Sequence, residues 1–130
     1  MFKKCAAVLA AASLASIATA VNAQTKPGLT MYENCAAFHY IIHEKVQWDE
    51  ATAQKSAALS DLFIKIAAME RERIGDSAEN TLPQISKQID AFYITMQKNY
   101  DETGHLWGKD PFFVELLQAC TDFVKTLENQ

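Results

Sequence analysis

The chain has 130 residues, enough for one domain at most. Its formal net charge is −4, and its lysines and arginines form no cluster. A surface that binds phosphates releases counterions through clustered basic side chains, so nucleic acid and anionic membrane surfaces are disfavoured as partners. A basic protein partner stays open.

The N-terminal residues predict a secretory signal peptide. Lys3 and Lys4 give a basic start, residues 5–20 form an apolar run, and the small residues up to Ala23 offer a cleavage site. Cleavage after Ala23 divides the chain into a signal peptide, residues 1–23, and a helical bundle domain, residues 24–130. Cleavage after Ala20 is the near alternative. The exported domain then keeps ten basic and 16 acidic residues, a formal net charge of −6.

An uncleaved membrane anchor is the competing interpretation of this segment. The apolar run of 16 residues is shorter than the roughly 20 residues that a spanning helix needs. No later apolar stretch is long enough either, so we expect no stable membrane insertion after cleavage and a periplasmic or secreted location.

Two cysteines remain after Cys5 leaves with the signal peptide. In an oxidising compartment Cys35 and Cys120 are expected to form a disulfide, with two free buried thiols as the alternative. The bond would close a loop of 85 residues. The chain-entropy estimate for such a loop is about 4–5 kcal/mol of stability.

Helix breakers divide the rest of the chain into three periodic stretches. Glycines and prolines occur at positions 27–28, 75, 83, 104, 108 and 111, and leave residues 29–74, 82–103 and 111–128 with helical periodicity. No stretch alternates strictly between apolar and polar residues. We therefore expect an all-α fold, a small up-down helical bundle with one disulfide.

The first stretch begins with Thr30 and Glu33, which match the capping box of a helix N-terminus. One apolar stripe follows at helical spacing. Its residues are Met31, Cys35, Phe38, Ile42 and Val46. Because Cys35 is on this stripe, it is expected to face the core.

The stretch 29–74 contains either two helices or one. Polar residues interrupt the stripe after Trp48, and Asp49 could cap a second helix. This predicts a turn near residues 48–51 and four helices in all. The alternative is one long first helix in a three-helix bundle, which would protrude and need a second subunit, a homodimer.

The second stripe runs out of phase with the first. Its residues are Leu59, Leu62, Phe63, Ile66 and Met69. Glu70 falls on the inward side near the end of this stretch. We expect it to pair with Arg73 or Arg71, the alternative being a buried functional carboxylate.

The last two stretches carry clear start and stop signals. Pro83 fits the first turn of a helix that ends near Gly104, and Asp110 followed by Pro111 predicts the start of the final helix. The inward stripes are Leu82, Ile85, Ile89, Phe92, Met96 and Tyr100, and then Phe113, Leu116, Leu117, Cys120, Phe123, Val124 and Leu127.

The histidines suggest a metal site. His39 and His43 are four residues apart, so on a helix they share a face and could bind one ion, with His105 from the 104–111 loop as a third ligand. The glutamate of zincin-type motifs is missing next to them, which disfavours a metallohydrolase. The alternative is a hydrogen-bonded core or surface histidine.

The loop between the last two helices suggests a binding anchor. Leu106 and Trp107 form an apolar pair between two glycines, and exposed aromatic side chains dominate many protein interfaces. The alternative is a lid packed over the end of the bundle.

No catalytic pattern stands out in the chain. Haem attachment, Cys-x-x-Cys redox and Gly-x-Ser-x-Gly nucleophile motifs are missing. The sequence therefore predicts a non-enzymatic exported bundle without a cofactor. Its expected function is to bind a protein partner as an inhibitor, immunity or accessory factor, and the alternative is a transition-metal-binding protein that uses His39 and His43.

Overall fold

A computed structural model describes residues 24–130, so the predicted signal peptide, residues 1–23, lies outside the described part. Within that part the chain forms four α-helices and no strand, which confirms the all-α prediction. The helices are α1 (Leu29–Lys45), α2 (Glu50–Arg73), α3 (Thr81–Thr103) and α4 (Pro111–Glu128), and a 3₁₀ turn (Ala78–Asn80) precedes α3. In residues 24–130 no helix is long and apolar enough to cross a membrane.

Helix α1 is the central element of the bundle, and it contacts each of the other three helices. It runs antiparallel to α2 and α4 and parallel to α3. The stripe residues Met31, Cys35, Phe38 and Ile42 are buried as predicted. Ala36, Ala37 and Ile41, on other faces, are buried as well. A helix that is buried on nearly all sides carries small or apolar residues on several faces, and its buried polar residues, such as Glu33, need partners on neighbouring helices.

A disulfide joins the middle of α1 to the middle of α4. Cys35 and Cys120 are bonded, with their Cα atoms 5.8 Å apart, and both side chains are fully buried. The predicted covalent link is confirmed. It fixes α4 against the central helix at a position inside the core.

The turn between α1 and α2 excludes the single long helix. Helix α1 ends at Lys45, and Asp49 caps α2 by accepting hydrogen bonds from the Thr52 amide at 3.2 Å and the Thr52 hydroxyl at 2.7 Å. The predicted turn and the predicted cap are both confirmed.

The predicted capping box at the start of α1 is wrong. The helix begins at Leu29 with Gly28 as its N-cap, and the exposed Thr30 lies inside the first turn. The Glu33 carboxylate accepts a hydrogen bond from Arg71 Nη2 at 2.7 Å. Glu33 faces α2, and a buried guanidinium there binds the carboxylate more strongly than a neutral backbone amide would.

The inward face of α2 also differs from the predicted stripe. Phe63 is fully buried as expected, but Met69 is 70% exposed. The other buried residues of this face are mostly small, namely Ala53, Ser56, Ser60 and Ala67. Small side chains let α2 approach α1 closely, and the Ser60 hydroxyl donates to the Ala36 carbonyl at 2.9 Å.

The charged end of α2 confirms one predicted pair and adds another. Arg73 Nε donates to Glu70 Oε2 at 2.8 Å on the surface, so Glu70 is not a buried functional carboxylate. Arg71 instead reaches Glu33 on α1 and Asp76 in the following turn.

Helices α3 and α4 begin and end as predicted. Gly104 adopts a positive φ of 78° just after α3, and Asp110 caps α4 by accepting from the Phe112 amide at 3.0 Å. Several stripe residues are buried as predicted, namely Ile85, Phe92, Met96, Phe113, Leu116 and Cys120. Three residues that the stripes placed inward are exposed instead: Leu82 by 61%, Tyr100 by 53% and Leu117 by 37%.

Candidate partner-binding end of the bundle

His39 lies in the interface between α1 and α2. Its imidazole is 6% exposed and stacks on the Phe63 ring, with centroids 6.1 Å apart and planes 6° from parallel. Within the described part of the chain its Nδ1 atom has no hydrogen-bond partner. Burial, and secondarily the charge of Lys55, lowers the His39 pKa from 6.5 to about 4, so the ring is neutral near pH 7.

The other two histidines have separate environments. His43 Nδ1 lies 3.1 Å from the Ala53 carbonyl oxygen, which can only accept, so His43 donates from this nitrogen. His105 is exposed in the loop between α3 and α4. Among residues 24–130 no three His, Cys, Asp or Glu side chains are grouped to hold a metal ion. The structure therefore does not assemble His39, His43 and His105 into one ligand set, and metal binding stays a prediction.

Trp107 packs as a lid over the core. Its ring meets Phe38 edge-on, with centroids 5.5 Å apart and planes at 81°. Asn99 holds the loop by donating from Nδ2 to the Leu106 carbonyl at 3.3 Å and to Asp110 Oδ2 at 2.7 Å. Leu106 and Trp107 are both partly buried against the core. Trp107 thus packs on the core and also lines a cavity of about 330 Å³ beside the loop, whereas Leu106 borders a different groove. Partner binding by either residue stays a prediction.

Trp48 is the exposed tryptophan at this end of the bundle. It lies in the turn between α1 and α2, and 84% of its surface is accessible. An indole in this position contributes little to the core. In the sequence Trp48 marks only a helix boundary, and a large aromatic residue inside a predicted turn is the signal of its exposure. Trp48 and Trp107 are on loops at the same end because α1 and α3 run parallel.

A groove of about 260 Å³ lies beside these loops, between the end of α1 and α3. Its lining is aromatic and aliphatic with a polar edge: Ile41, Lys45, Tyr93, Met96, Gln97, Tyr100 and Leu106. The Tyr93 hydroxyl donates to Glu44 Oε2 at 2.7 Å, and Lys45 Nζ is 5.4 Å from the Tyr93 ring centroid. Hydrogen bonds from Tyr40 and Tyr93 lower the pKa of Glu44, so this carboxylate stays charged near pH 7.

We define the loop end as residues 44–50 and 98–110, together with the groove. Acidic residues outnumber basic ones in these two segments. The acids are Glu44, Asp49, Glu50, Asp101, Glu102 and Asp110, and the bases are Lys45, Lys98 and Lys109. The loop end therefore combines exposed aromatic surface with a negative field.

In comparisons with known proteins, no protein-family model, no curated protein and no solved structure matches this chain.

Proposed function

We propose that this chain is an exported, non-enzymatic bundle that binds a protein partner through its loop end, as an inhibitor, immunity or accessory factor. One observation carries the proposal: Trp48 exposes 84% of its surface at the end of the bundle where a groove with aromatic lining also lies. Tryptophan and tyrosine are enriched among the residues that dominate binding energy at protein interfaces.

The groove complements Trp48 as a second contact. Tyr100 is 53% exposed at its edge, and Leu106 closes one side. Tyr93 is held in place by Glu44 and Lys45, so it can meet a partner without a large loss of side-chain freedom. A partner side chain that enters the groove would lie against rings that are already positioned.

Charge indicates the kind of partner. The loop end carries six carboxylates and three lysines, so its field favours a basic segment. We propose that the partner presents an aliphatic or aromatic side chain flanked by Lys or Arg. Such complementarity mainly raises the association rate, and salt weakens it.

The disulfide supports the proposed location. Bonds such as Cys35–Cys120 persist in oxidising compartments, so they support a periplasmic or secreted protein, in agreement with the predicted signal peptide. The partner would then be an exported protein or the exposed part of a membrane protein.

The test is affinity capture from the exported fraction with wild type, Trp48→Ala and Ile74→Ala. Ile74 is a matched control, because it is 54% exposed at the opposite end of α2. A partner bound by wild type and Ile74→Ala should be lost with Trp48→Ala and released by salt. With the purified partner, Trp48→Ala should weaken binding by at least about 30-fold, as expected for a hot-spot residue.

Equal binding by Trp48→Ala and wild type would contradict the proposed surface. The alternative is that a second copy of the chain binds to the loop end. Sedimentation velocity of the purified protein tests for such a dimer. A dimer that Trp48→Ala dissociates would show that this surface serves self-association and would overturn the proposal of a separate partner.

A further inference from the structure

The interface between α1 and α2 contains a buried histidine, and protonation of this side chain would destabilise the interface. His39 is 6% exposed, lies flat against Phe63, and has an Nδ1 atom without a partner in the described part of the chain. An imidazolium donates from both ring nitrogens and needs an acceptor or water at each. This site gives Nδ1 neither an acceptor nor access to solvent.

We propose that α2 is an acid-released arm: protonation of His39 detaches α2 from α1 while the disulfide keeps α4 in place. The inference is independent of the proposed partner, since it concerns a different face of α1. Release would separate Phe63 from His39 on α1 and from Phe123 on α4.

The attachment of α2 to α1 depends on close packing of small side chains and on polar links. The largest buried side chain of α2, Phe63, also packs on Phe123 of α4, with ring centroids 5.9 Å apart, and the other buried apolar residues of α2 add little apolar area apiece. Its polar links to α1 are the Ser60 hydroxyl on the Ala36 carbonyl, His43 on the Ala53 carbonyl, and Arg71 on Glu33. By contrast, α4 is bonded covalently to α1 through Cys35 and Cys120.

The groups around His39 oppose its protonation. Phe38 on α1 and Phe63 on α2 are its ring neighbours, and Lys55 on α2 is the charged group whose field reaches it. His43, one turn later on α1, has an acceptor for its Nδ1 in the Ala53 carbonyl. Glu33 is the other buried titratable group of this interface and is paired with Arg71, whereas His39 Nδ1 has no partner among the described residues.

The sign of the pH dependence follows from the lowered pKa. In the closed state the His39 pKa is about 4, and in the released state it returns toward 6.5. The released state thus binds the proton more tightly, and it gains population as the pH falls from about 6.5 to about 4. Between pH 7 and pH 4 the opening equilibrium constant should rise about 100-fold.

Hydrogen exchange with peptide resolution, corrected for intrinsic rates, measures this directly in the disulfide-bonded protein at pH 7 and pH 4. Peptides from α2 should lose about 100-fold in protection at pH 4, while peptides from α4 keep theirs. His39→Phe should abolish the pH effect, and His39→Leu provides a second apolar replacement should the larger ring disturb folding. His43→Gln is the matched control and should retain the effect.

Three outcomes would overturn the proposal. They are equal loss of protection in α2 and α4, no loss in α2, or an unchanged pH effect in the folded His39 variants. The first would indicate global unfolding, and the last would assign the effect to another group.

Discussion

Arg71 near the end of α2 and Glu33 near the start of α1 form a buried ion pair, with Nη2 and Oε2 2.7 Å apart and side chains 10% and 9% exposed. The partners are 38 residues apart in the chain. The same guanidinium donates from Nη1 to Asp76 Oδ2 at 2.6 Å, in the turn that leads to α3. One arginine therefore joins two helices and a turn at the end of the bundle opposite Trp48.

Replacement of Arg71 by Met should destabilise the fold by about 3–5 kcal/mol at pH 7, because it leaves the Glu33 carboxylate buried without a counter-charge. Urea unfolding measures the difference. Burial raises the pKa of Glu33, and the hydrogen bond from Arg71 opposes that rise. Without Arg71 the pKa of Glu33 in the folded state is raised further. Stability is therefore retained below the pKa that Glu33 has in the unfolded chain, and it is lost as the pH rises through the pKa that Glu33 has in the folded protein. The deficit should therefore shrink toward pH 4.

Glu33→Gln is the control for this prediction. The amide keeps an oxygen that can accept from Arg71, and Arg71 keeps Asp76, so the loss should be clearly smaller than in Arg71→Met. Equal losses in both variants, or a deficit of Arg71→Met that does not change with pH, would contradict an uncompensated carboxylate.

Removal of the disulfide should have a large effect on stability. Its closed loop spans 85 residues, so the double variant Cys35→Ala/Cys120→Ala is expected to lose about 4–5 kcal/mol, together with a small packing loss. Chemical unfolding of the oxidised protein and of the double variant gives the difference. Alkylation of the unfolded, unreduced protein should label neither cysteine; labelling of both would refute the bond.

The two tryptophans should respond in opposite ways to truncation. Trp107→Ala removes a ring that packs on Phe38, and it should lower the free energy of unfolding by roughly 2 kcal/mol or more. Trp48→Ala should change it by no more than about 0.5 kcal/mol, because the indole is almost fully exposed. Paired thermal and urea unfolding checks both values. A strongly destabilised Trp48→Ala would mean that Trp48 belongs to the core.

Two helix starts offer a matched test of capping. Asp49→Ala should destabilise by about 1 kcal/mol, because the side chain accepts from the amide and the hydroxyl of Thr52. Thr30→Ala should be close to neutral, since Thr30 lies inside the first turn of α1 and Gly28 holds the cap position. Circular dichroism during urea unfolding measures both free energies of unfolding. A larger loss for Thr30→Ala than for Asp49→Ala would mean that Thr30 caps α1 after all.

The sequence by itself determined the helical class, the ends of α3, the starts of α2 and α4, and the covalent link. The residues that start and stop helices act on backbone groups a few positions away, so their effects can be predicted without knowledge of the fold. These residues are Asp49, Asp110, Pro111 and Gly104. The disulfide followed from a count of cysteines and a predicted compartment.

Only the tertiary structure decided which faces are covered. Trp48 and Trp107 both occur near predicted turns, and their exposure depends on whether another element packs over them. Glu33 pairs with Arg71 across the interface between α1 and α2 and not with the backbone amide of Thr30, as the capping box predicted. The packing of α2 on α1 also buries His39 Nδ1 without a hydrogen-bond partner among the described residues. The burial of a side chain and its contacts with distant residues depend on packing, which local periodicity does not encode. The candidate site consists of such contacts between distant residues.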